Sequence, residues 1–118
     1  MVTVGIDPHK HVHVAVAVDA AGRQVGRPLT VKNSPQLIAG LLTWAIEDGH
    51  GFARRLADGL LLAGQEVVWV PTRLMMAHRK LHAATGAKSD PIDAAAAAHA
   101  AIATPGLDRH RIDEPVRE

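Results

Sequence analysis

Apolar and polar positions alternate along the first part of the chain. Val2, Val4 and Ile6 lead to Asp7, the period-two pattern of a half-buried strand that closes on a carboxylate. A turn follows at Asp7-Pro8-His9-Lys10, because Pro8 fixes its own φ and pushes Asp7 toward extended geometry. His11 to Asp19 alternates again, with Val12, Val14, Val16 and Val18 on one face. Ala20-Ala21-Gly22-Arg23 reads as a hairpin connection in which Gly22 supplies the positive φ. Gln24 to Lys32 contains a third, weaker strand, with Pro28 marking an edge or bulge. The pattern predicts a three-stranded meander.

The period then lengthens. Ser34-Pro35 is a helix start, followed by an apolar stripe at Leu37, Ile38, Leu41 and Leu42. Ala45 to Asp48 predicts a short fourth strand ending in carboxylates, and Gly49-His50-Gly51 breaks the chain. Phe52, Leu56, Leu60 and Ala63 have helical spacing, with Gly64 as the C-terminal cap. Glu66 to Val70 predicts a buried parallel strand stopped by Pro71. Arg73 to His82 reads as a basic helix and Gly86 to Ser89 as a loop. Asp90-Pro91 opens a last helix that runs through an alanine stretch to about Ala103, and Thr104-Pro105-Gly106 ends it. Trp44, Trp69, Met75 and Met76 read as packing residues. Leu60, Leu61, Leu62 and the alanine-rich helix are expected to present apolar surface that a longer protein would cover. This order predicts an α/β domain: a mixed sheet of a three-strand meander plus parallel strands added through helical crossovers, with flanking helices. It is the order of the ribonuclease H-like fold.

Composition narrows the picture. With 118 residues the chain fits one domain, taken as 1–106, followed by a polar and loosely ordered tail at 107–118. The formal charge of +1 excludes binding nucleic acid through a strongly basic arm alone. Zero cysteines exclude disulfides and thiolate metal sites and fit a reducing cytosol. No apolar run approaches the roughly 20 residues of a membrane span, and the N-terminus lacks a signal-peptide pattern.

Four carboxylates stand where ligand sites of open α/β sheets are found. Asp7 closes the first strand, Glu47 closes the fourth, and Asp90 and Asp93 share a face at the start of the last helix. Singly each has an ordinary structural reading as turn, strand end, helix cap or dipole partner. Gathered together they require cations, and oxygen donors without cysteine point to Mg²⁺ or Mn²⁺. Two such ions suit phosphoryl transfer, one at the attacking and one at the leaving oxygen.

The blocks Val4-Gly5-Ile6-Asp7-Pro8-His9-Lys10, Ala45-Ile46-Glu47-Asp48, Glu66-Val67-Val68 with Val70-Pro71, and Gly86-Ala87-Lys88-Ser89-Asp90-Pro91-Ile92-Asp93-Ala94 follow one another as in a known family. The chain resembles the DEDD-type insertion-sequence transposases, which include the Piv-type DNA invertases. The last block is the most specific. The resemblance implies a Holliday-junction-resolvase-like catalytic domain with Asp7, Glu47, Asp90 and Asp93 as catalytic and metal-binding tetrad. It further implies Mg²⁺-dependent cutting and rejoining of DNA at element ends and target, a guide RNA as partner, a homo-oligomer when full length, and a prokaryotic, nucleoid-associated cytosolic setting. Two departures stand out. Leu41-Leu42-Thr43-Trp44 runs directly into Ala45-Ile46-Glu47-Asp48, so the loop and the first residues of the strand are expected to be shortened. The family's C-terminal domain with a nucleophilic serine is expected to be absent, which makes the chain a truncated copy with little or no full activity. Ser34 and Ser89 are the only serines, and neither is a nucleophile candidate.

Further candidates are weaker. His9, His11 and His13 share a strand face and could bind a transition metal, or line a polar mouth beside Asp7. Lys10, Arg73, Arg79, Lys80 and Lys88 are the expected nucleic-acid contacts, against the plainer reading of a solvated helix face. The alternatives to a transposase domain are a non-catalytic nucleic-acid-binding remnant and an actin-like ATPase fragment, the latter from Gly5-Ile6-Asp7 alone.

Overall fold

The structure, a computed structural model, describes residues 2–7, 12–32, 43–48, 51–82 and 90–112. Among the described residues, five strands and three helices follow in the order β1 (Thr3–Asp7), β2 (Val12–Val18), β3 (Leu29–Lys32), β4 (Thr43–Glu47), α1 (Gly51–Leu62), β5 (Glu66–Val70), α2 (Thr72–His82) and α3 (Asp90–Ala103). The strands form one sheet in the order β3-β2-β1-β4-β5. Both meander contacts are antiparallel, and β4 joins β1 and β5 in parallel. The expected mixed sheet is therefore the observed one.

Period-two alternation divides the sheet into two faces. Val4, Ile6, Ala15, Trp44, Ile46 and Val67 point to one side and pack on Ala53, Leu56, Ala57 and Leu60 of α1. The neighbouring positions point to the other side. There Val16 and Val18 meet Ala94 and Ala98, and Ala45 and Val70 meet Met75, Ala96, Ala97 and Ala100. The alanine run is thus core, because α3 lies between the sheet and α2. Gly5 explains how α3 comes so close: a Cβ at this position would stand 1.7 Å from the carbonyl oxygen of Ala94 and 2.7 Å from the nitrogen of Ala98.

Local signals hold in detail. At the end of α1, the Gln65 N–H donates to Leu60 O and the Gly64 N–H to Leu61 O, with Gly64 at φ +83°, the Schellman arrangement. Asp19 Oδ1 accepts from the amides of Ala21 and Arg23 and shapes the turn in which Gly22 takes φ +82°. Trp44 is buried and donates its indole N–H to Gln65 Oε1.

Several expectations are refined or corrected. The third strand lies within the expected Gln24–Lys32 segment, at Leu29–Lys32. Gln24 makes an isolated bridge to Val18, and Gly26 at φ +75° together with Pro28, which has no N–H to donate, delays the ladder to Leu29. The β4 strand starts at Thr43, ahead of the expected Ala45, and pairs along its length with β5. β5 is parallel, as expected, and lies at the edge of the sheet, where its outer edge is used by part of the segment expected to be loosely ordered. Trp69 donates to Asp108 O, the His110 N–H donates to Val67 O, and the buried His110 ring lies edge-on to Trp69. An unpaired strand edge draws in whatever backbone can satisfy it. Met76 and Leu62 are exposed, whereas Leu60 is buried. The helix expected at Ser34–Leu42 and the loop at Gly86–Ser89 lie outside the described residues.

Candidate active site at the carboxyl ends of the central strands

β1 and β4 run side by side with Ile6 opposite Ile46. The next residue of each is an acid, so Asp7 and Glu47 emerge as neighbours at the carboxyl ends. Asp7 lies two positions from Gly5, and Glu47 two from Ala45, so alternation puts both on the face covered by α3. The close approach at Gly5 then fixes the first turn of α3 against this end of the sheet and brings Asp93 with it.

A guanidinium joins two of these acids. Arg79 of α2 donates from Nη2 to Glu47 Oε1 at 2.7 Å and from Nε to Asp93 Oδ1 at 2.7 Å. The three side chains are 29%, 17% and 12% exposed, so the cluster sits in a recess rather than in open solvent. Burial opposes the Arg79 charge, but the hydrogen bonds to Asp93 and Glu47 outweigh it, and its pKa lies above the ordinary value. Arg79 follows Met75 by four residues, on the inward stripe of α2. A charged residue on a buried stripe needs an acid facing it, and that was the available sequence signal for this contact.

The other expected site residues divide as follows. Asp90 opens α3, and its side chain lies outside what the structure describes, as does that of Lys80. Lys10, Lys88, His9 and His11 lie outside the described residues. His13 is fully buried on the α1 side of the sheet, the face opposite to the acids. Arg73 is exposed on α2, whereas Arg79 is engaged with the acids rather than extended from a solvated helix face.

Among the described residues, no three His, Asp or Glu side chains form a group arranged to hold a metal ion. The donor chemistry nonetheless suits a hard cation. Glu47 and Asp93, from different elements, already direct carboxylate oxygens at a single positive charge. Among the described residues, no helix is long and apolar enough to cross a membrane.

Comparison with known proteins agrees with this architecture. A family model described as Transposase, of the DEDD, IS110 type, matches residues 4–115. No curated protein matches in sequence. Among solved structures, the chain is similar to Thermus thermophilus RuvC, with a TM-score of 0.57 at 18% identity, over 93% of this chain and 100% of that one. It is also similar to T. thermophilus RuvC in complex with a Holliday junction substrate, with a TM-score of 0.56 at 15% identity, over 85% of this chain and 91% of that one. The shared fold is the ribonuclease H-like one expected from the order of elements.

Proposed function

The chain belongs to the DEDD, IS110-type transposase family, and on that premise we propose that its acid-lined sheet edge performs divalent-metal-dependent cleavage and joining of DNA strands during transposition. The observation that carries this reading is the convergence of Glu47 and Asp93 on one cation, beside Asp7. Asp7, Glu47, Asp90 and Asp93 would hold Mg²⁺ or Mn²⁺. When bound, the metal supplies charge neutralisation at the scissile phosphate and activation of the attacking oxygen. The role of the chain is to present these carboxylates from a rigid strand pair and a helix start, so that little reorganisation is left for the reaction itself.

The DNA partner follows from the family and from the fold shared with a resolvase that binds a Holliday junction. The contacts proposed for the DNA backbone are Lys10, Arg73, Lys80 and Lys88, with Arg79 at the edge of the acid cluster. A guide RNA and a homo-oligomeric assembly belong to the same proposal. The family match removes the actin-like ATPase reading.

Two measurements test the proposal. Mn²⁺ titration of the chain should show binding that Asp7→Asn reduces by roughly tenfold or more, the loss of one charged ligand. Branched DNA should bind in a salt-dependent way, and Arg73→Ala should weaken it. Metal affinity unchanged by Asp7→Asn would refute the metal site. DNA affinity that survives Asp7→Asn without any metal binding would favour the non-catalytic nucleic-acid-binding reading.

A further inference from the structure

The proposed function leaves one group unexplained. Arg79 bridges two of the acids, and it does so from a helix that contributes none of the four. Its two hydrogen bonds use different nitrogens of one planar guanidinium, one to the end of β4 and one to the first turn of α3. A planar fork that spans two carboxylates holds them at a fixed separation, which a flexible lysine ammonium could not do. Both acids are largely buried, so each would carry an uncompensated charge if the guanidinium left without a replacement.

We propose that Arg79 is a positioning residue that serves as a built-in counter-cation: it holds Glu47 and Asp93 converged when no metal is bound, and it competes with the divalent ion for the same carboxylates. This rests on the metal reading above. The geometry that carries it is exclusion. Arg79 Nη2 stands 2.7 Å from Glu47 Oε1, and Nε stands 2.7 Å from Asp93 Oδ1. A divalent ion binding those same oxygens requires the guanidinium to withdraw from at least one of them. Metal loading is therefore an exchange of one cation for another. The acid face stays assembled in the unloaded protein, at the cost of a weaker metal affinity than the carboxylates alone would give.

The test measures Mn²⁺ binding by the whole chain, reading free Mn²⁺ by electron paramagnetic resonance, together with thermal unfolding in EDTA. Arg79→Gln should bind Mn²⁺ roughly tenfold more tightly than the parent, which is the scale of a charge-assisted hydrogen bond removed from competition. It should also unfold at a lower temperature in EDTA and recover that loss when Mn²⁺ is added. Arg79→Lys, which keeps one charge but not the fork, should fall between the two in both readouts. It also carries the test if Arg79→Gln does not fold without metal. A purely structural role would lower metal affinity along with stability, so weaker Mn²⁺ binding by the variants overturns the proposal. Equal affinity in all three proteins overturns it while leaving the proposed metal site standing. Binding by none of them removes the metal site and the proposal together.

Discussion

The two faces of the sheet are packed by opposite means. On the α1 face, large side chains fill space: Ile6, Trp44 and Ile46 meet Leu56 and Leu60. On the α3 face, small residues remove space: Gly5 and Ala45 lie beneath Ala94, Ala97 and Ala98. The first arrangement stabilises through buried apolar area and dispersion, and it tolerates modest exchange of volume. The second permits close approach of helix to sheet, and its tolerance for added atoms is nearly nil. The acids lie on the second face. Positioning at the carboxyl end of the sheet is therefore bound to the tight packing below it.

The sharpest way to break this division is Gly5→Val. Any β-carbon at position 5 collides with backbone, not with a side chain that could turn away. The expected loss is at least about 3 kcal/mol, as α3 must lift from β1. Urea unfolding should show it, and any folded fraction should have lost its metal binding with the displaced Asp93. Leu60→Ala tests the other face. It removes a fully buried side chain and should cost about 2–5 kcal/mol through lost burial and a cavity. Unlike the glycine variant, the folded fraction should retain its metal affinity, because nothing on the α3 face has moved. Metal affinity lost to the same degree in both would erase the distinction between the faces.

Much of this was legible in the chain itself. The alternating valines, Gly64 as a helix cap, Glu66 to Val70 as a strand and Asp90 as a helix start are local signals, and local signals survive folding. The side-by-side placement of Asp7 and Glu47 followed once β1 and β4 were taken as neighbours. What the sequence did not reveal depends on distant partners. Gly5 looked like part of a motif, and its steric role appears only with Ala94 above it. The alanine run looked like helix propensity, and its burial reflects a second helix on the far side. Arg79 looked like one member of a basic stretch, and its two acid partners are 32 and 14 residues away. Asp108 to His110 looked like part of a loosely ordered tail because their ordering force is the free edge of β5, which a linear pattern cannot display.

That edge segment offers the smallest and most controlled version of the comparison, since adjacent residues of one backbone address the two faces. His110 turns to the α1 side, where its Nε2 lies 2.5 Å from Asp58 Oδ1 and its ring is 5.3 Å from that of Trp69. Arg109 turns to the other side and donates from Nη1 to Glu66 Oε1 at 2.7 Å. The distances are similar, but the surroundings differ. The His110 side chain is 6% exposed and that of Arg109 is 67% exposed. His110→Ala should cost about 1–2 kcal/mol, from the lost hydrogen bond and ring contact together. Arg109→Ala should cost less than about 1 kcal/mol, because water and salt screen an exposed pair and two long side chains regain their freedom. Unfolding midpoints of the two variants in low and high salt decide the matter. The Arg109 effect should shrink further as salt rises, and the His110 effect should persist. An Arg109 loss as large as that of His110 would mean that the strap along β5 is held by its charged side rather than its buried one.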